Sequence, residues 1–126
     1  MGVQIPNAEL YISDIRSWEV LLDAFSRENT LLKNTLAQVV DRIDDQPYLE
    51  MAEKFNNLFI TKDECILDLR KEIESHRMAL ESGLYLYPAH NRKFMSRHRK
   101  LSNEMENFKS GIFQLKERFN NYLTSQ

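Results

Sequence analysis

Two histidines and one carboxylate in this 126-residue chain are of types that could hold a metal ion or pass a proton: His76, His98 and, one helical turn before His76, Glu72. Imidazole titrates near neutrality and is the commonest nitrogen ligand for metals. The spacing tests the metal reading directly. Ferritin-like di-metal bundles place a Glu three residues before each ligating His, and here those positions are Ile73 and Met95. A hemerythrin-like iron site demands more histidines than the three present, and neither a His-Glu-x-x-His run nor a cysteine pair exists for zinc. The pair reads first as half-buried structural imidazoles, whose mutual resistance to double protonation makes their surroundings pH-sensitive. A metal or ligand site built on His76, His98 and Glu72 is the alternative, and no cofactor is expected.

Other reactive side chains converge less. Cys65 lies on the flank of a helical seam with no His one turn away, no serine sits in a Gly-x-Ser-x-Gly elbow, and no glycine-rich phosphate loop occurs. Catalysis is not expected. Residues 90–100 carry five fixed positive charges and no acid, with Arg92, Lys93, Arg99 and Lys100 at outward heptad positions. Such a stripe could contact phosphates or the acidic helices of this or another chain. A formal net charge of −2 argues against a dedicated nucleic-acid binder.

The elements that position these groups follow from hydrophobic periodicity. Ile15, Trp18, Leu22, Phe25, Leu32, Leu36, Val39 and Ile43 recur at steps of three and four, with Asn29 the polar member of the series. Ala52, Phe55, Phe59, Ile66, Leu69, Ile73 and Leu80 repeat the pattern, interrupted by Lys62 and His76, and Met51, Leu58, Cys65 and Ala79 widen that face. Phe94, Leu101, Met105, Phe108, Ile112, Leu115, Phe119 and Tyr122 form the third block. A 3.5-residue period sustained over several heptads specifies helices whose seams cover one another. Asp45 and Pro47 mark one turn and Gly83 and Pro88 the other. The expectation is an all-α, elongated, antiparallel up-down-up three-helix bundle with coiled-coil heptad packing. It forms a single domain over residues 1–126, with helices at about 7–44, 47–82 and 88–123. Asn7 is the expected cap of the first helix.

Folding about the two turns sets residue i of the first helix opposite about 92 − i, and residue i of the second opposite about 172 − i. That arithmetic groups Asn29, Lys62 and Ser110 with Gly111 as a polar core layer, which penalises slipped registers by leaving its members unpaired. It also joins His76 to the neighbourhood of His98 near Trp18. Leu31, Ile60 and Phe113 fall at one height on outward positions, and Leu84-Tyr85-Leu86-Tyr87 is too apolar a turn to face water entirely, so it folds over the bundle end or meets another subunit.

Composition sets the remaining bounds. Three glycines and three prolines leave little room for strand-turn-strand organisation. One cysteine cannot form an internal disulfide, and no signal-like leader or long apolar run occurs, so a cytoplasmic chain with no membrane segment is expected. Met1-Gly2 lacks the Ser or Thr at position 6 that myristoylation calls for, since Pro6 stands there. Residues 1–91 hold 9 Lys and Arg against 16 Asp and Glu, whereas residues 92–126 hold 8 against 3. An acidic pair of helices thus lies beside a basic third.

The stretches SWEVLLDAFSRENTLLKNTL and AEKFNNLFITKDECILDLRKEI, with the closing FQLKERFNNYL, resemble small uncharacterised bacterial proteins of helical or coiled-coil type. The resemblance implies a standalone cytoplasmic bundle with no established activity and supplies no catalytic residues. Together these readings point to a non-enzymatic interaction or structural module whose partner is a protein or a second copy of itself.

Overall fold

The computed structural model describes residues 8–125, so the expected Asn7 cap and Pro6 lie outside the described residues. Three long helices, α1 (Ala8–Val40), α2 (Gln46–Glu81) and α3 (Pro88–Thr124), are joined by one short irregular segment and by a 3₁₀ turn, Leu84–Leu86. Each helix is about 50 Å long at 1.5 Å per residue. Among the described residues there is no strand, and no helix is long and apolar enough to cross a membrane.

Local chemistry explains the ends. α1 stops four residues short of the boundary read from sequence: Arg42 N–H bonds to Val39 O at 3.1 Å, tightening the last turn. Asp41, Asp44 and Asp45 follow, and their charge opposes the negative end of the helix dipole, with no basic residue in the last turn to offset it. Asp45 instead caps α2, its carboxylate accepting from Tyr48 N–H at 3.1 Å, and Pro47 occupies the first turn, where its missing N–H is not needed. At the other end of α2, Ser82 N–H reaches Met78 O and Gly83 N–H reaches Leu80 O. Gly83 adopts φ +73°, a left-handed conformation that costs a side-chain-bearing residue.

Every seam residue read for the second and third helices is buried, and Tyr48 joins them. On α1 the same holds for Ile15, Trp18, Leu22, Phe25 and Leu36, whereas Leu32, Val39 and Ile43 are half-buried. Met51 of the flanking line is exposed, and Leu58, Cys65 and Ala79 are half-buried. The core divides into two clusters. One gathers Trp18, Leu22, Ile73 and Leu101 with Phe25, Phe108 and Ile112 at its inner limit. The other gathers Phe55, Phe59, Phe119, Leu115 and Leu36, with Tyr48 and Tyr122 stacked at 4.1 Å between ring centroids. Burying each such side chain is worth about 1.5–3 kcal/mol.

A polar layer sits where the clusters meet, but its members differ from those read from sequence. Asn29 is buried and donates its amide to Phe59 O at 2.8 Å and to Asp63 Oδ1 at 2.6 Å. Lys33 completes the group through a 2.5 Å ion pair with Asp63. Burial alone would raise the Asp63 pKa; the hydrogen bonds from Lys33 and Asn29 and the Lys33 charge outweigh it and hold the carboxyl below its ordinary value. Lys62 is not Asn29's partner. It is half-buried, with its ammonium 5.6 Å from the centroid of the Phe108 ring, and Ser110 is exposed. The pairing sum of 92 in fact points Asn29 at residue 63, one position past Lys62.

Gly111 lies beneath that ammonium: a Cβ there would stand 3.0 Å from Lys62 Nζ. Since the obstruction is the tip of a flexible side chain, Gly111→Ala should gain helix propensity at little steric cost. Urea unfolding should show a stabilisation of about 0.5–1 kcal/mol; a loss of stability would mean that the ammonium is held in place by the glycine.

Candidate functional site

The densest group of titratable and aromatic side chains lies at the end of the molecule that carries the 3₁₀ turn. α1 brings Tyr11, Asp14 and Trp18, α2 brings His76, and α3 brings Phe94 and His98. Tyr85, the one buried residue of the turn, packs on Phe94 at 4.9 Å and on Tyr11 at 6.3 Å. Leu84, Leu86 and Tyr87 remain exposed, so only Tyr85 of that apolar quartet folds onto the core. Asn91 ties the turn down through its amide, which donates to Tyr85 O at 2.9 Å.

His76 and His98 meet as the pairing arithmetic anticipates. His76 Nε2 lies 2.8 Å from His98 Nδ1, and His98 Nε2 lies 2.9 Å from Asp14 Oδ2. A carboxylate only accepts, so His98 Nε2 carries a proton. With both imidazoles neutral, His98 Nδ1 is then a bare acceptor, His76 Nε2–H donates to it, and His76 Nδ1 is left as a lone pair. That Nδ1 is buried without a partner, a state that costs about 1–3 kcal/mol. His76 is fully buried, its ring stacked on Phe94 at 4.3 Å. Burial, then the neighbouring His98, then Arg97 push its pKa down to about 4.

This arrangement is a hydrogen-bonded relay of three side chains. Two nitrogens bound to one tetrahedral metal at about 2.0–2.1 Å each would stand about 3.3 Å apart with both lone pairs aimed at the ion. Here one ring donates to the other, and the outer nitrogen of His98 is engaged by Asp14. No group of three or more metal-ligating side chains with suitable geometry occurs among the described residues. Glu72 does not join the pair. It is exposed and shares a hydrogen bond with Glu104, whose pKa is raised by burial, by that bond and by Glu72's charge, against the pull of Lys100.

The remaining sequence-derived candidates are placed as follows. Arg92, Lys93, Arg99 and Lys100 are all exposed; Lys100 pairs with Glu104 at 3.8 Å, and the other three make no ion pair among the described residues. Cys65 is half-buried and free. Leu31, Ile60 and Phe113 are exposed, as their outward heptad positions require.

Sequence reasoning missed Asp14, Asp63 and Lys33. The signal for the first was present: the sum of 92 places His76 opposite about residue 16, and Asp14 is an acid two residues from it. Comparison with protein-family models, with curated proteins and with solved structures returns no match.

A pH dependence follows from the relay. The unfolded chain protonates His76 at its ordinary value of 6.5, the folded chain only at about 4. Between those limits the unfolded state binds more protons, so folding stability falls as pH drops through this window and the loss is complete below it. The loss should reach up to about 3 kcal/mol, and His76→Phe should remove this part of the pH profile. An NMR titration placing the His76 midpoint near its ordinary value would contradict the burial argument.

Proposed function

We propose that this chain is a non-enzymatic, elongated three-helix coiled-coil bundle of antiparallel up-down-up topology that serves as a protein–protein interaction or structural module and associates with itself. The topology is supported by the contact sequence: Arg70 meets Asp23 and Asp63 meets Lys33, so rising numbers on α1 face falling numbers on α2, while Asp14 meets His98 and Glu28 meets Lys116 in a common direction. Heptad packing is supported by the three- and four-residue spacing of the buried positions on all three helices.

One observation carries the functional reading. Large apolar side chains remain exposed after the core is complete, and about half of them lie at the end formed by the start of α1, the end of α2 and the start of α3. Leu10, Met78, Leu84, Leu86, Tyr87 and Met95 all lie there, with exposures from 40 to 62%. Contiguous exposed apolar surface is a hallmark of interaction sites. The charge distribution favours a second copy as partner, because the basic third helix of one molecule complements the acidic first two helices of another. Leu31, Ile60 and Phe113, at one height along the rod, offer a second belt.

Sedimentation velocity across a concentration series should show reversible association that a Leu84→Ser, Leu86→Ser, Tyr87→Ser triple variant weakens. All three side chains are exposed, so the variant should keep its helical circular dichroism and its thermal stability within about 0.5 kcal/mol per site. A wild-type protein that stays monomeric at every concentration and retains no protein from cell extract would overturn the proposal.

A further inference from the structure

The hydrogen bond between His76 and His98 has a limited capacity for protons. At 2.8 Å the two facing nitrogens need one N–H and one lone pair between them, whichever ring carries the proton. One added proton is tolerated. With His98 charged, its Nδ1–H donates to His76 Nε2 while its other N–H faces the Asp14 carboxylate at 2.9 Å. A second proton makes donors of both facing nitrogens, and the bond is lost. It also sets two positive rings beside a single carboxylate, where His76 is wholly inaccessible to solvent. The other charged and titratable groups around the pair do not offset this. α1 brings Asp14 and the Tyr11 ring, and the turn brings Tyr85 against Phe94. On α3 Arg97 adds like charge, and a recess of about 170 Å³ beside His76 is lined by His90, Lys93 and Arg97 and by no carboxylate. Glu72, one turn before His76 on α2, is turned to Glu104.

We infer that the histidine pair is an acid-operated latch, whose double protonation releases the turn and the start of α3 from α1 and α2 while the other half of the bundle stays folded. The packing around the pair defines what lets go. Phe94 stacks on His76 at 4.3 Å, Tyr85 packs on Phe94 at 4.9 Å, and Tyr11 and Trp18 lie against His98 at 4.6 and 4.8 Å. Each of these rings touches a histidine or a ring that does, so charging the pair loosens the group as a whole. The division of the core limits the opening. Beyond the layer of Asn29, Asp63 and Lys33, the cluster that runs from Leu36 to Tyr122 contains no histidine. Asp63 keeps its charge while the histidines titrate, because its carboxyl is held below the ordinary value. The latch goes beyond self-association and does not depend on it, since it acts within one molecule.

The test is an acid titration of the full chain, followed by amide hydrogen exchange and by the emission of Trp18, the single tryptophan. Opening takes up protons, so the open fraction should rise about tenfold per pH unit for each proton bound, once the pH falls below the ordinary histidine value of 6.5. Protection factors should drop first at residues 88–101, and Trp18, buried in the closed state, should emit further to the red as it meets water. Residues 48–59 and 115–122 should keep their protection over the same range. Asp14→Asn removes the counter-charge of the singly protonated pair and should move the opening up by about one pH unit. Asp14 is half-exposed, so this variant stays folded at neutral pH. His76→Phe should abolish the pH dependence of the opening, and where that variant fails to fold the Asp14→Asn shift decides. Loss of protection in both halves at one midpoint, Trp18 emission unmoved down to a pH of about 4, or an Asp14→Asn profile superimposed on that of the wild type would overturn the latch.

Discussion

None of the three helices can stand alone: each is about 50 Å long and carries an apolar edge, interrupted at few positions, that only the other two keep from water. Isolated helices gain little from backbone hydrogen bonding, and most helical stability in proteins comes from packing an amphipathic face. The aromatic content concentrates that packing. Phe55, Phe59, Phe119 and Tyr122 interlock in one half, and Trp18, Tyr11, Phe94 and Tyr85 surround the histidines in the other. Polar groups that enter such an interior must be paired within it, and this requirement shapes both polar sites.

The two sites meet the requirement differently. At mid-length Asn29 bridges a helix carbonyl and a carboxylate, and Lys33 neutralises that carboxylate at the surface; the group bonds α1 to α2 at one register and leaves a single Asn29 oxygen unmatched. A slip by one heptad would bury the amide and the carboxylate with nothing to face, which is why a costly layer between two apolar clusters is consistent with a unique alignment. At the turn end the chain of Asp14, His98 and His76 crosses all three helices, and its last nitrogen is left over. Each site thus keeps one unmatched buried atom, Asn29 Oδ1 at mid-length and His76 Nδ1 at the turn end.

The rod shape has a consequence for the surface. A slender bundle has more surface for its core than a sphere does, and among the described residues no fourth element covers the apolar residues left over at its end. The short connections reinforce this, because the turn from Gly83 to Tyr87 has enough chain to bury Tyr85 but not Leu84, Leu86 and Tyr87 as well. Apolar exposure, basic charge on α3 and the recess over His76 therefore fall at the same end of the molecule.

Periodicity determined the helical class and almost the entire list of buried side chains, because burial on a long helix depends on which residues share a stripe, and the Asp45-Pro47 and Gly83-Pro88 signals placed the two turns. The same periodicity with two turn positions brought His76 to His98. The pairing sum also points Asn29 at Asp63, but the stripe pattern drew the reading to Lys62, the residue that interrupts the apolar seam, because Lys62 and Asp63 sit at nearly the same height and differ by a hundred degrees around the helix. The early end of α1 depended on where charge meets the helix dipole. The tertiary structure decided which polar atom faces which: that Asp14 orients His98, that Glu72 turns to Glu104, and that His76 keeps one nitrogen unmatched. Such choices rest on ångström-scale distances and on rotations about side-chain bonds across three separate helices, and no spacing within a single chain segment encodes them.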